Sequence, residues 1–515
     1  MRSVLPAIAL AAVALLAGGL VASTTPAKVL VCAAAAIVFA VSFIKVDWGL
    51  YILIFSMLLS PEVMAGATVG GSLGRGVTLR LEDGLLVLIG LSWLARNAVM
   101  KDLGLFLKTP LNRPIFLYMV VCALSTTLGV MSGRVEPKTG FLYVLKYFEY
   151  FIVFFMLVNH VRDGRQLKRF VFCLFLTAAI VSLIGIAQIP DGNRLSAPFE
   201  GPGGEPNTFG GYLLFVGMVA AGLAAKVRER RTRNLLLLLI VCMLPSFFFT
   251  QSRSSYLAFV PALLVLGFMT ERRLIVVGLL AVALLASPLF LPQVVKERIL
   301  YTFNQPEEPG QITIGDLRLD TSTSARLQSW QDALRDFPDH PFLGHGVTGY
   351  AFVDAQFPRV LAETGILGLA AFIYLLVSVF RLLRSRLRQT EDPFCKGLIM
   401  GFTAGFVGLL VHSIGTNTFI IVRIMEPFWF FAGIVAVLPA TDPTEERQAA
   451  RVPAIGREIP RPALPPRGSG ARPAAARRWS WHPGFPPARS SAAPPAAAPG
   501  GRPAPRRRPA PAGPA

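Results

Sequence analysis

Side chains capable of acid–base work are concentrated in one stretch of this chain, the 65 mostly polar residues from Pro292 to Gln356, which interrupts a succession of hydrophobic runs. A general base must be a histidine or carboxylate within reach of the proton it takes. Asp354, His340 and His345 in this stretch, and Glu363 just beyond it, have that chemistry, although each alone reads more readily as a solvated or structural side chain. Two arginines stand apart. Arg194 lies in a Gly- and Pro-rich connection before a hydrophobic run, and Arg253, in Thr250-Gln-Ser-Arg-Ser-Ser255, sits between two runs with almost no loop. A charge so close to hydrocarbon is costly unless it is paired or functional. The planar fork of arginine grips two phosphate oxygens at once, so both residues suit a pyrophosphate group; the alternative is an interfacial arginine reaching lipid phosphates. Asn207, Arg326 and Arg359 are weaker candidates for substrate contacts.

Missing motifs narrow the chemistry. The sequence has no G-x-x-x-x-G-K-[ST] phosphate loop, no G-x-G-x-x-G after a strand, no H-E-x-x-H and no D-x-D pair for a metal–nucleotide. A reaction here would draw its energy from an activated, membrane-borne substrate. The five cysteines are dispersed without C-x-x-C spacing, so neither a disulfide framework nor a zinc site is implied, and no metal or cofactor is expected.

The elements that must position these residues are helices. A hydrophobic content of 53% and a mean hydropathy of +0.55 exceed what a soluble core of this size can use. Fourteen apolar runs fall at 4–21, 29–44, 48–59, 84–94, 114–131, 141–158, 167–189, 208–225, 235–250, 256–269, 274–291, 360–380, 397–411 and 418–438. The expected fold is an all-α polytopic integral membrane protein of about 12–14 transmembrane helices, with one long periplasmic loop and a disordered C-terminal tail. Its parts would be spans over 1–291, the loop over 292–356, spans over 357–440 and the tail over 441–515.

Lys and Arg favour cytoplasmic connections. From the fourth run onward, alternate connections carry twenty of them, at 96, 101, 108, 113, 162, 165, 168, 169, 226, 228, 230, 231, 233, 272, 273, 381, 384, 386, 388 and 396, against four (Arg134, Lys138, Arg194, Arg253) in the intervening short ones. That bias places the 292–356 loop outside and the C-terminus inside. The first run, behind Arg2, reads as an uncleaved anchor, with a signal peptide as the alternative. The tail holds 13 Arg against 4 acidic residues and supplies +9 of the net +20. Its Pro/Ala/Gly/Arg composition predicts disorder. Charge alone would permit nucleic-acid binding, but no aromatic-and-basic module accompanies it, and contact with anionic lipids or no function is favoured.

Within the loop, Ser324 to Phe337 predicts an amphipathic helix: Leu327, Trp330, Leu334 and Phe337 fall three or four apart and Pro338 ends it. Such a helix could lie on the membrane surface or pack on the spans. His340-Pro-Phe-Leu-Gly-His-Gly-Val-Thr-Gly349 follows, with three glycines that permit tight turns.

Taken in order, Leu145-Lys-Tyr-Phe-Glu-Tyr-Phe151, Arg194 with Pro206-Asn-Thr-Phe-Gly-Gly-Tyr212, Gln251-Ser-Arg-Ser254, Ser324-Ala-Arg-Leu-Gln-Ser-Trp330, His340-Pro-Phe-Leu-Gly-His-Gly346 and Leu361-Ala-Glu-Thr-Gly-Ile-Leu-Gly368 resemble the bacterial O-antigen ligase and polymerase superfamily. The resemblance runs from about Leu81 to Leu438. It implies a metal-independent glycosyltransferase of the inner membrane that works on the periplasmic side with a polyprenyl-pyrophosphate-linked glycan, among membrane lipids and other polysaccharide assembly proteins, without nucleic acid. It also implies that Arg253, and less firmly Arg194, binds the pyrophosphate. Ligases of this family carry a histidine followed by Asn, Ser or Gln, then nine residues, then Gly-x-x-Gly; counting back from Gly365 puts Asp354 and Ala355 there. Asp354 would then act as the base or bind acceptor hydroxyls, with His340 and His345 as alternatives. The departure favours a repeat-unit polymerase for exopolysaccharide, capsule or O-antigen over a ligase. A flippase for lipid-linked oligosaccharide is the third reading, weakened because the polar candidates gather on one face rather than at the bilayer midplane.

Overall fold

The computed structural model describes residues 26–63, 79–100, 108–161, 163–200, 204–271, 292–314 and 317–441, with a few isolated positions between 273 and 285. Its helices are α1 (Pro26–Ile44), α2 (Val46–Leu59), α3 (Leu81–Met100), α4 (Asn112–Met131), α5 (Pro137–His160), α6 (Gly164–Gln188), α7 (Pro206–Lys226), α8 (Arg230–Phe249), α9 (Arg253–Phe268), α10 (Gln293–Asn304), α11 (Thr321–Arg335), α12 (Gln356–Gln389), α13 (Pro393–His412) and α14 (Val422–Thr441). Twelve of the fourteen apolar runs fall on these helices, one run to a helix. The runs at 4–21 and, apart from isolated positions, 274–291 lie outside the described residues, as does the tail beyond Thr441. By length and composition α4, α5, α6, α7, α8, α12 and α13 can each cross a membrane, and α1, α2 and α9 contain shorter apolar helices. The protein is an all-α polytopic membrane protein; the strands among the described residues are two antiparallel pairs of two-residue segments, Glu62–Val63 with Leu79–Arg80 and Thr313–Ile314 with Leu317–Arg318. Helices suit hydrocarbon because each satisfies its own backbone groups.

Small residues set the tightest contact. Gly397, Gly401 and Gly405 recur every fourth residue on α13, and a β-carbon on Gly401 would run into the backbone of Met218 and Val219 on α7. This is the close approach that small-x-x-x-small spacing allows between membrane helices. Around it, Phe215, Phe402, Phe428 and Phe431 stack edge to face across α7, α13 and α14.

One face of the bundle receives the 292–355 segment. Arg423, fully buried at the start of α14, locks this face from below: its guanidinium lies 3.2 Å from Glu200 and 3.8 Å from Glu82 and donates to the carbonyls of Pro198 and Ser60 at 3.2 and 3.0 Å. The connection that carries Arg194 is thereby tied to α2, α3 and α14.

The loop helix α11 begins at Thr321, three residues before the sequence-predicted start, because Asp320 caps it by accepting from the Thr323 amide. It packs on the spans: Trp330 and Ala333 meet Val353, Ala355 and Ala362 in a small apolar core, while Leu334 stays exposed.

Candidate active site

Arg253 is the first residue of α9, where the turn 250–252 reverses the chain. Its two arms divide. Nη1 donates to Thr302 Oγ1 on α10 at 2.7 Å, and Nη2 donates to Asp320 Oδ2, the cap of α11, at 2.7 Å. One side chain thus clamps both loop helices onto the spans. Burial opposes ionisation of Asp320, but hydrogen bonds from Arg253 and Thr323 prevail and hold its carboxyl below the usual carboxylate range. Arg194 donates to the carbonyl of Gln251 at 3.2 Å, at a residue with φ of 51°. Partial burial, then the guanidiniums of Arg298 and Arg253, push Arg194 down to about 10. Arg298, on α10, is lowered by burial and then by Arg253. Three guanidiniums therefore crowd together, and among the described residues Asp320 is the carboxylate that ion-pairs with any of them. Such a cluster has a surplus of positive charge and of forked donors, the donor set for an anionic phosphate group. Asn207, on the first turn of α7, adjoins it by accepting from Ser252 Oγ at 2.7 Å.

Asp354 is held by Arg326 of α11, whose Nε and Nη2 both donate to Oδ2, at 3.0 and 2.9 Å. Oδ1 takes no hydrogen bond among the described residues and is left to receive a proton or hydroxyl. The clusters share an element: Asp320 and Arg326 lie six residues apart, about 9 Å along the helix axis. Beside Asp354 a cavity of about 220 Å³ opens between α11 and 350–353, lined by Gln328, Ser329, Asp332, Tyr350 and Phe352.

His340 and His345 lie apart from these two groups, edge to face with centroids 4.6 Å apart. His340 contacts Arg134, and burial, then Arg134 and His345, lower its proton affinity. His345 stacks on Tyr350, whose hydroxyl donates to Asp336 at 2.8 Å, and its Nδ1 lies 3.1 Å from the Ala362 carbonyl. The glycines explain this turn. Gly344, Gly346 and Gly365 all have positive φ, and amide-to-carbonyl bonds run from His345 to Ala362 (3.0 Å), Gly346 to Glu363 (2.8 Å) and Ile366 to Pro341 (2.8 Å). Residues 340–349 and the kinked first turns of α12 are two halves of one structure. Glu363 and Arg359, both buried, form an ion pair at 3.0 Å at its base, with the Thr348 amide also donating to Glu363. Their geometry is that of an anchor.

Residues 236–373 match the family model described as O-antigen ligase. That segment is similar to the O-antigen ligase family and supports a relation to the O-antigen ligase/polymerase superfamily. No curated protein matches the chain. The superfamily segment contains every candidate named above except Arg194, Asn207 and Arg134, and it supports a membrane glycosyl-transferring enzyme acting on lipid-linked glycan.

Two parts of the candidate site escaped sequence reasoning. Arg298 looks like any charge in a polar loop, and only the fold carries it to Arg253. The connection His412-Ser-Ile-Gly-Thr-Asn-Thr-Phe419 is the other. Asn417 Nδ2 donates to the Val353 carbonyl at 2.8 Å, the Gln356 amide donates to the Ser413 carbonyl at 3.1 Å, and Ser254 Oγ donates to the Gly415 carbonyl at 3.4 Å. This turn supports the segments of Asp354 and Arg253 together. Its signal in the sequence was a polar break between two apolar runs.

Proposed function

We propose that the protein is a polysaccharide polymerase of the bacterial inner membrane, transferring a growing glycan from polyprenyl pyrophosphate to the next lipid-linked repeat unit on the periplasmic face, in exopolysaccharide, capsule or O-antigen synthesis. The observation that carries this reading is that the start of one helix, α11, holds both groups: its cap Asp320 pairs with Arg253 of the arginine cluster, and its Arg326 holds the half-free carboxylate of Asp354. The twenty-to-four charge bias supports the periplasmic orientation of that face and a cytoplasmic C-terminus.

In the proposed reaction Arg253, Arg194 and Arg298 hold the donor pyrophosphate. Asp354 Oδ1 takes the proton of an acceptor sugar hydroxyl, whose oxygen bonds to the anomeric carbon while the bond from that carbon to the phosphate oxygen breaks. Lipid pyrophosphate leaves with the bonding electrons, and fixed guanidiniums stabilise the charge that builds on it. In this reading the acceptor sugar occupies the cavity between Gln328 and Tyr350.

A ligase that moves finished glycan to a terminal acceptor is the second reading, favoured by the family description and weakened by Asp354 standing at the ligase histidine's place. Deleting the gene and analysing the lipid carrier decides between them. Single repeat units accumulating on the periplasmic face support the polymerase, full-length polymer on the carrier supports the ligase, and repeat units trapped on the cytoplasmic face overturn both in favour of a flippase.

A further inference from the structure

The polymerase reading requires two lipid-borne substrates at once, and the Arg253 cluster provides for one pyrophosphate. A second feature fits the other. Between α4 and α5 a cavity of about 540 Å³ opens at the surface of the bundle, lined by Ala123, Thr127 and Val130 on one wall and Phe141, Val144 and Phe148 on the other. Its lining residues run from position 123 to 131 on α4 and from 137 to 148 on α5, about 12 and 16 Å of helix rise. That is about half of a hydrocarbon core of ~30 Å, the depth of one leaflet.

The end of the cavity near Met131 and Pro137 lies on the loop-bearing face, and the turn between those residues carries Arg134. Arg134 contacts His340, its Nε is buried without a hydrogen-bond partner, and among the described residues it has no ion pair. Lys138 is exposed one residue past Pro137, and the one acid of the turn, Glu136, accepts from Thr139. The same helix supports the histidine turn: Ser125 Oγ donates to the carbonyl of Leu343, Thr126 Oγ1, on the groove's edge, accepts from the Val347 amide at 3.3 Å, and Gly129 abuts His345. A chain lying in the cavity would thus have its head group at Arg134 and its glycan beside the turn that leads to Asp354. The Arg253 cluster stands elsewhere in the bundle, on α9, which packs against α13 and α7, whereas α4 packs against α12 and α5.

We propose that the α4–α5 groove, with Arg134 and Lys138 at its mouth, is the acceptor site, holding the isoprenoid chain and pyrophosphate of the incoming lipid-linked repeat unit. The assignment rests on the polymerase reading and adds where the second lipid binds. Its chemistry is an apolar slot one leaflet deep, closed by cations that match a lipid pyrophosphate.

The test uses the full chain in proteoliposomes, with polyprenyl-pyrophosphate-linked polymer as donor and polyprenyl-pyrophosphate-linked single repeat as acceptor, each varied separately. Val144→Trp and Ala123→Phe fill the groove from opposite walls, and Arg134→Gln removes the cation; insertion and monodispersity in detergent establish that each variant is folded. The expected result is an acceptor KM raised about tenfold or more, the loss of roughly one charge-assisted bond, with donor KM unchanged. Arg253→Ala should do the reverse. An acceptor repeat unit with a photoreactive isoprenoid chain should label α4 and α5, and excess photoinert phospholipid should not compete. If Arg253→Ala weakens donor binding while folded groove variants leave acceptor KM unmoved, or if phospholipid competes fully, the groove holds bulk lipid and this inference fails alone. If the polymer-linked donor is not consumed by the wild-type protein, the polymerase reading itself fails.

Discussion

Arg253 bridges Thr302 and Asp320 with the two arms of its fork, so replacing it tests the clamp on the loop as well as anion binding. Lysine can satisfy one of those partners but not both. Arg253→Lys should lower both thermal stability and polymer yield, whereas Arg335→Lys on the exposed side of α11 should change neither. Arg298 separates the two effects, since its contribution is charge beside Arg194 and Arg253. Arg298→Ala should weaken donor binding about tenfold or more with melting temperature nearly unchanged; unaltered donor affinity would remove Arg298 from the anion site. Asp354→Asn keeps the shape that Arg326 holds and removes the proton-accepting oxygen, so turnover should fall about 10²–10⁴-fold with donor binding intact. A rate within about threefold of wild type, well under that range, would shift the role of base to His340 or His345. The sequence carried Arg253 and Asp354 because each departs from its surroundings, a charge at a span boundary and a carboxylate where the family has histidine. Arg298 carried no such mark, since its position depends on how α10 folds back over α8.

Among the elements, the long apolar spans were legible because a helix that is apolar on all sides needs no partner to be recognised. Their pairing was not, although the glycines at 397, 401 and 405 announce one close face. The loop was legible as an amphipathic helix followed by a glycine-rich turn, but whether that helix lay on lipid or on protein depended on the apolar core of Trp330, Ala333, Val353, Ala355 and Ala362. Co-occurrence of the His340–Gly346 and Glu363–Gly368 motifs has a structural cause: the backbones interlock through bonds that Gly344 and Gly365 permit by positive φ and by lacking a β-carbon. Gly365→Ala would bring a β-carbon into the backbone of Phe342 and Leu343. It should undock the turn, seen as faster proteolysis within 340–349 and loss of polymer while the spans still insert. A variant with wild-type proteolysis and activity would show that the interlock is not needed.

On the scale of the whole molecule, the proposed reaction depends on which side of the membrane the loop-bearing face looks toward. The arginine cluster, Asp354, the histidine turn and the mouth of the groove all lie on that face, and the proposed polymerisation of translocated repeat units requires it to be periplasmic. Charge asymmetry supports this, with twenty Lys and Arg in one set of connections from the fourth run onward and four in the short connections of the other. The residues that break the rule are informative: Arg134, Arg194 and Arg253, three of the four cations of the sparse set, are those that the fold gathers around the proposed substrates. The orientation predicts the labelling of single cysteines in a cysteine-free background. Glu308→Cys, exposed in the loop, should react with an impermeant thiol reagent in intact spheroplasts, and Arg388→Cys, exposed at the far end of α12, should react only after permeabilisation. The reverse pattern would put the whole constellation on the cytoplasmic side and remove the periplasmic polymerase, whatever the arginines bind.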